Sequence, residues 1–337
     1  MSKQRPTLSE VATAANVSAM TASRAMNNRP GVSSETREHV LKVAAELGYV
    51  VNRAAQKLSG GRSHIIGIVA TDLEHPFVSA VATGAREAAW TAGYEVLVYA
   101  QLRSEKRPTG GVLQLLRQIS DGIIAALPME YGYLEDLAEL SIPVVTIDQR
   151  GNKAEFPSIA ADSYGGAKSA ILHLAELGHK RIALIGGDER LGSARDRRRA
   201  YNETMAQLGF RRDSALVAPG DYSQAGGYAA AQKLLALSSR PTAILAANDV
   251  SAFGAMTAIR EAGLRIPEDI SVVGFDDIPA SSLVSPALTT VRQPIYQMGR
   301  SAVNTLLALM ARIEPATQVV SLPTELVIRQ STAAPKS

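Results

Sequence analysis

Arg24 carries the most directional chemistry in the first sixty residues. Its planar guanidinium offers a fork of N–H donors that matches the paired acceptors on a guanine edge. It ends the segment Ser18-Ala-Met-Thr-Ala-Ser-Arg24, in which Ser18, Thr21 and Ser23 add short hydroxyls. Ala19 and Met20 add apolar groups suited to a thymine methyl. A second set of polar groups recurs at the ends of apolar runs further along: Asp72, Asp148, Asn248-Asp249 and Asp276-Asp277, with Phe77 near the first. Carboxylates and amides beside an aromatic ring can bond paired hydroxyls and stack on a sugar face. Asp and Asn also cap helices wherever they precede them, so capping is the ordinary role of any single one. Ligand contact follows only for a set that converges on one crevice.

The elements that would hold Arg24 are legible in the pattern. Thr7 and Glu10 form a capping box, and Leu8, Val11, Ala12 and Ala15 share one helical face. Asn16 suits the left-handed conformation of a tight turn, and Ser18 starts a second helix. Two short helices joined this way can place the second in a major groove. Ser33 caps a third helix with an apolar stripe of Val40, Val43, Ala44 and Leu47, and Gly48 ends it. Residues 1–63 hold nine lysines and arginines against four glutamates, whereas the whole chain is only +3, so the basic excess lies in this segment. Phosphate neutralisation requires such an excess.

A short helix from Asn52 through Leu58 follows, stopped by Gly60-Gly61 and too short to stand alone in water. Leu58 on this basic segment is placed either to wedge open a base step in the minor groove or to pack against the next domain. From Ile65 onward, short apolar runs alternate with amphipathic stretches such as 77–92 and 112–119. Runs at 65–71, 94–100, 122–127 and 143–148 read as buried strands, and a second set lies at 181–186, 215–218, 243–248 and 270–275. That alternation predicts doubly wound parallel sheets, and two sets predict two lobes with a ligand cleft between them.

The segments Leu8-Ser-Glu-Val-Ala, Asn16-Val-Ser, Thr21-Ala-Ser-Arg24, Glu46-Leu-Gly-Tyr49 and Asn52-Arg-Ala-Ala-Gln-Lys-Leu58 resemble the lactose repressor/galactose repressor family of bacterial transcription regulators. The resemblance runs from Thr7 to about Ser331. It implies an α/β chain: an all-α helix-turn-helix domain followed by a two-lobed domain like the periplasmic binding proteins. The expected boundaries are 1–49 for DNA binding, 50–61 for the hinge, 62–161 with 292–320 for the first lobe, 162–291 with 321–331 for the second, and 332–337 for a tail.

The resemblance implies that the hinge helices of two copies pair on operator DNA, with Leu58 in the minor groove. Thr7, Asn27, Ser33, Tyr49, Asn52 and Ala55 join the DNA-facing set on that basis. Asp72, Phe77, Asp148, Asn248 and Asp276 become effector contacts, joined by Arg197, Tyr222 as the stacking aromatic and Gln293 at the lobe crossover. Ala200 departs from the family's usual glycine, and Ala126 stands where some sugar-sensing members have an amide. The family's last strand run, here 319–329, crosses back between the lobes. A homodimer on a two-fold operator is expected, because the leucine-heptad tail of the lactose repressor is missing.

Other classes lack their signatures. The chain has no cysteine, no Gly-rich phosphate loop, no Gly-x-Ser-x-Gly elbow and no His-Glu-x-x-His helix, so no enzyme, metal or cofactor is expected. His39, His64, His75, His173 and His179 are scattered, and His179 reads as structural. In the Ser193–Tyr201 run, Arg198 and Arg199 read as a solvated face. A periplasmic sugar-binding protein is the rival from another class. Met1–Pro6 is polar with no apolar export segment after it, which points instead to the cytoplasm. No run of eighteen apolar residues predicts a membrane span. The effector expectation is a neutral sugar or glycoside, with a purine or nucleoside, or a sugar phosphate, as alternatives.

Overall fold

The computed structural model describes residues 6–26, 30–49, 62–70, 73–100, 110–126, 133–148, 156–211, 213–315 and 318–336. Two compact units divide between Ser63 and His64.

The first unit contains helices α1 (Leu8–Ala14), α2 (Ala19–Met26) and α3 (Ser34–Leu47). The capping box forms in both directions: Thr7 N–H donates to Glu10 Oε2 at 2.5 Å, and Glu10 N–H donates to Thr7 Oγ1 at 3.3 Å. Asn16 takes the left-handed conformation at φ 53°, turning the chain between α1 and α2. Gly48 does the same at φ 69° and terminates α3, a conformation glycine adopts without a Cβ penalty. Val11, Ala12, Ala15, Ala22, Ala25, Val40 and Ala44 make the small core, with Tyr49 packed on its edge.

The second unit holds two six-stranded sheets. The first has the order β11-β5-β4-β3-β1-β2, where β1 is Ile65–Ala70, β2 Glu95–Ala100, β3 Gly122–Ala126, β4 Val144–Ile147, β5 Ser158–Ala161 and β11 Val319–Leu322. The second has the order β12-β10-β9-β8-β6-β7, where β6 is Ile182–Ile185, β7 Val217–Ala218, β8 Ala243–Ala246, β9 Ser271–Asp276, β10 Thr289–Arg292 and β12 Glu325–Val327. Every pairing is parallel except β10 with β12. Strands such as β3, β4, β6 and β8 are buried along their whole length, as strands of a parallel sheet covered on both faces are.

Connectivity builds a crossover of three strands. After β5 the chain enters the second lobe through Asp162. It returns after β10 through Gln293-Pro294 into a helix, α11 in chain order (Ile295–Met310), whose Ile295, Met298, Ala302, Val303 and Leu306 fill the first-lobe core. It crosses a third time between β11 and β12. Thr324 Oγ1 in that last crossing donates to Asp162 O in the first at 3.0 Å.

Two sequence expectations need correction. The run 215–218 is not a four-residue strand: Asp213 accepts the Ala215 N–H at 3.0 Å and starts a 3₁₀ turn over Ser214–Leu216, leaving only Val217–Ala218 paired. The run 319–329 is not continuous either, because Pro323, which has no N–H for a ladder, separates two strands that join different sheets. The β5 and β10 strands, Ser158-Ile-Ala-Ala161 and Thr289-Thr-Val-Arg292, lack the apolar run that marks the other four-residue strands.

Candidate functional site

In the first unit, α2 presents one coherent outer face. Ser18, Ala19, Met20 and Arg24 are exposed, with Met20 65% accessible, while Ala22 and Ala25 are buried. Thr21 and Ser23 are half-buried at its edge. Ser18 Oγ accepts the Thr21 N–H at 3.0 Å and lies 2.9 Å from Thr21 Oγ1, so both hydroxyls help fix the start of the helix. Ser33 acts likewise for α3, accepting the Thr36 N–H at 3.1 Å. Thr7 and Ser33 are exposed at helix starts, and Tyr49 is half-buried. Asn27, Asn52, Ala55 and Leu58 lie outside the described residues.

In the second unit, five of the expected effector contacts gather where the two sheets' carboxyl ends face each other: Asp148, Arg197, Tyr222, Asn248 and Asp276, with Gln293 beside them. Asp148 follows β4 of the first lobe in the left-handed conformation, φ 54°. Its carboxylate reaches the opposite lobe, where it accepts the Ser193 N–H at 3.0 Å and the Ser193 Oγ–H at 2.5 Å. Ser193 lies in the first turn of Gly192–Gln207 (α8 in chain order), which has no side-chain cap of its own at Leu191. The carboxylate therefore caps that helix from across the cleft and meets its positive end. Tyr222 Oη stands 3.4 Å from Ser193 Oγ. The Tyr222 ring packs with Leu191, Ala194 and Ala247, and a Cβ at Gly187 would come within 2.3 Å of it. Only glycine leaves that ring its place.

Arg197 extends from α8 into the lobe. Its guanidinium lies 3.7 Å over the Phe275 ring, Nη1 donates to Ala247 O, and Nη2 donates to Ser163 Oγ at 3.4 Å. Its Nε is buried with no partner among the described residues. Asn248 starts the helix Asp249–Glu261 (α10 in chain order): Oδ1 accepts the Ser251 N–H at 2.9 Å, and Nδ2 donates to Tyr222 O at 3.1 Å. Asp276 ends β9 at φ 120° and accepts from Gln293 Nε2 at 2.6 Å, which ties the pocket to the crossover.

Burial governs the electrostatics. It pushes the Asp276 carboxyl up to about 7, opposed by the nearby Arg197 charge and reinforced by Asp249. Burial also raises Asp148 despite the Ser193 hydrogen bonds, and holds the Tyr222 hydroxyl up at about 12. Asp249 is internal: its carboxylate accepts from Ile278 N–H at 2.9 Å, Ser281 Oγ at 2.7 Å and Thr290 Oγ1 at 2.5 Å. Phe77 is 5% exposed and packed into the first-lobe core, and Asp72 lies outside the described residues.

Sequence reasoning passed over Ser193, Ser163 and His75. Ser193 was hidden in a charge run, and only its hydrogen bond to a distant strand end singles it out. His75 precedes the helix Pro76–Thr91 (α4 in chain order) and accepts the Phe77 N–H on Nδ1 at 3.3 Å. Its Nε2 faces Asn248 Nδ2 of the other lobe at 3.3 Å. Arg198 is half-buried and Arg199 exposed, and they pair with Glu189 and Asp196 respectively. Buried His179 binds Thr242, Ser271 and Ala333 O, fastening the end of the chain to the second lobe.

The site thus offers donors (Ser193, Arg197, Asn248), acceptors (Asp148, Asp276) and one aromatic face. Comparison with known proteins matches this plan. Residues 7–52 match the model for bacterial regulatory proteins of the lacI family, and residues 171–332 match a periplasmic binding protein-like domain. The HTH-type transcriptional regulator DegA of Bacillus subtilis (strain 168) is 34% identical over 333 residues, covering 98% of each chain. The chain belongs to the lacI family. The lac repressor dimer bound to operator and the anti-inducer ONPF superposes with a TM-score of 0.85 at 33% identity, over 98% of this chain and all of that one. A complex of the regulator CelR with cellobiose gives a TM-score of 0.74 at 30% identity, over 97% and 100% of the two chains. As a lacI-family member the chain is a DNA-binding transcriptional regulator, and its relatives are regulators rather than enzymes. No described helix is long and apolar enough to cross a membrane.

Proposed function

We propose that this regulator is a repressor that acts in the cytoplasm as a homodimer on a two-fold operator, under the control of a neutral polyhydroxyl effector held between its lobes. The observation that carries the reading is the cluster Asp148, Ser193, Arg197, Tyr222, Asn248 and Asp276, drawn from both lobes and tied across the cleft by the two Asp148–Ser193 hydrogen bonds. Two carboxylates facing one guanidinium repel an anionic ligand more than a neutral one, whereas paired donors and acceptors beside a ring suit a sugar. The lac repressor and CelR structures, with their ONPF and cellobiose ligands, support the sugar class.

Ser18, Ala19, Met20, Thr21, Ser23 and Arg24 face the operator in this reading, with Arg24 on a guanine. Asn52, Ala55 and Leu58 form the hinge contacts, with Leu58 in the minor groove. The effector acts through the three crossover strands: it changes lobe closure, and the changed spacing of the two hinge segments alters operator affinity. Thermal-shift screening of the full chain against cellobiose, ribose, adenosine and a sugar phosphate tests the effector class, since a specific ligand raises stability by mass action. A sugar that stabilises the wild type but not Arg197→Ala is the expected result. Stabilisation by adenosine or the sugar phosphate alone would overturn the sugar assignment. A mobility-shift titration with the hit then gives the direction of control.

A further inference from the structure

The end of β9 carries two consecutive aspartates that serve different neighbours. Asp276 belongs to the cleft cluster and accepts from Gln293 Nε2 at 2.6 Å. Asp277 follows in the left-handed conformation, φ 57°, and its carboxylate meets two arginines instead. Oδ2 accepts from Arg292 Nε at 2.7 Å, and Oδ1 accepts from Arg329 Nη2 at 2.5 Å. Arg292 ends β10, immediately before the Gln293-Pro294 crossing, and Arg329 follows β12, beyond the last crossing. Arg292 Nη1 also donates to Glu325 Oε2 at 3.2 Å, its antiparallel partner on β12. Glu325 directly follows Thr324, whose hydroxyl holds Asp162 O of the first crossing. One carboxylate thus heads a series of contacts that reaches all three crossings, and it starts beside a residue of the cleft. The two arginines differ in setting. Arg329 is 18% exposed and is also fixed by Leu288 O and Thr289 Oγ1, so it anchors Asp277 within the second lobe. Arg292 is 50% exposed, where an ion pair adds little to stability, and its bonds join segments that leave the lobe.

We propose that Asp277 is a positioning residue for ligand control: without touching the effector, it fastens the second and third crossings to the strand end that bears Asp276. The inference rests on the cleft reading given above. Pairing between β9 and β10 ends at Asp276 and Arg292. Beyond that point the departing chain is held by Gln293 on the Asp276 side and by Arg292 on the Asp277 side. A ligand that moves Asp276 also moves Asp277, because the two are bonded neighbours. Charge-assisted bonds on both carboxylate oxygens fix the direction of that side chain, so its movement is passed to the Arg292 guanidinium rather than lost in rotation. Removing the Arg292 donors leaves both sheets paired and loosens only the link between cleft and crossings.

The test uses the full chain on an operator selected from a random library, titrated in buffer and in saturating cellobiose, ribose or adenosine. The readout is the ratio of operator affinities with and without each compound, a coupling that a purely structural residue does not set. Wild type should show a ratio of at least about fivefold with one of them. Arg292→Met keeps the length of a half-exposed side chain and removes its donors. Asp277→Asn leaves one arginine facing an amide N–H. In both variants the ratio should fall below about twofold, while calorimetry gives an affinity for the same compound within about threefold of wild type. The double variant should lose no more coupling than Asp277→Asn alone, since members of one network are not additive. Arg265→Gln, which breaks a surface pair with Asp269 in the same lobe, should keep the full ratio. Loss of the ratio there as well would mean a general loosening of the lobe and would overturn the proposal. An unchanged ratio in Arg292→Met and Asp277→Asn overturns it too, with the cleft reading left standing by the wild-type response. Absence of any wild-type response to the three compounds refutes the cleft reading, and the role of Asp277 falls with it.

Discussion

Replacing Asp148 by Ala and, separately, by Asn distinguishes a charge from a hydrogen-bonding shape at the point where the lobes meet. The α8 helix receives no cap from Leu191, and the Ser193 N–H and Oγ–H are both accepted by Asp148 at 3.0 and 2.5 Å. Asp148→Ala leaves the N–H without that acceptor, a change of the same kind as deleting an N-cap, and costs about 1–3 kcal/mol. Asp148→Asn can keep both contacts. Its Oδ1 accepts the Ser193 N–H, and its Nδ2 donates to Ser193 Oγ, whose proton turns to Tyr222 Oη at 3.4 Å in the present geometry. Asn also removes a carboxylate that burial holds above its ordinary range, so the ionised form costs more inside the protein than in water. The expected stability of Asp148→Asn is within about 1 kcal/mol of wild type. The folded pKa is raised, so the contribution of Asp148 is complete below the unfolded carboxyl value and is lost as pH rises through the folded one. Asp148→Asn lacks that loss. Urea denaturation at fixed protein concentration, across pH values from acid to neutral, reads both effects. If Asp148→Asn proves as damaging as Asp148→Ala at every pH, the charge itself ties the lobes and the reasoning is refuted.

Further outcomes follow from other parts of the chain. Arg24→Ala should weaken operator binding by about 1–3 kcal/mol and relax the preference at one base pair, as measured by competition with operators altered one position at a time; uniform weakening at all positions would mean a phosphate contact instead. Leu58→Ala should lose operator affinity while ligand affinity stays nearly intact, and unchanged operator binding would sink the wedge proposal. Burial raises Asp276 to about 7, so the folded chain keeps a proton that the unfolded chain releases above the ordinary value of 3.8. Stability from this group is therefore full in acid and is lost as pH rises through about 7. Asp276→Asn should flatten the denaturation profile over that interval, and an unaltered slope would contradict the assignment.

The elements that follow strong local rules were readable in advance. The Thr7–Glu10 box, the Asn16 turn, the Gly48 stop and the long apolar strands each follow from a few adjacent residues. The strands β5 and β10 were not legible because they mix Ser, Thr and Arg with few large apolar residues, and their places are set by pairing with other strands. At the cleft, strand-end carboxylates were visible as a set, yet their position alone did not separate Asp249 from Asp276, a choice that rested on the family resemblance. One is consumed by three internal donors and the other meets Gln293 and Arg197. Phe77 was chosen for its aromatic ring, but it falls on the buried face of α4 with Val78, Val81 and Ala85. Ser193 and His75 gain meaning only from partners 45 and 173 positions away, a relation that no local motif encodes.

The most direct test of ligand control is a fluorescence-anisotropy titration of the wild-type chain on an operator selected from a random library, with and without the sugar that stabilises it. A coupling of at least about 1 kcal/mol, roughly a fivefold change in operator affinity, is expected. That change should vanish in Arg197→Ala while operator binding itself persists. Equal operator affinity with and without a saturating sugar would contradict control through the cleft.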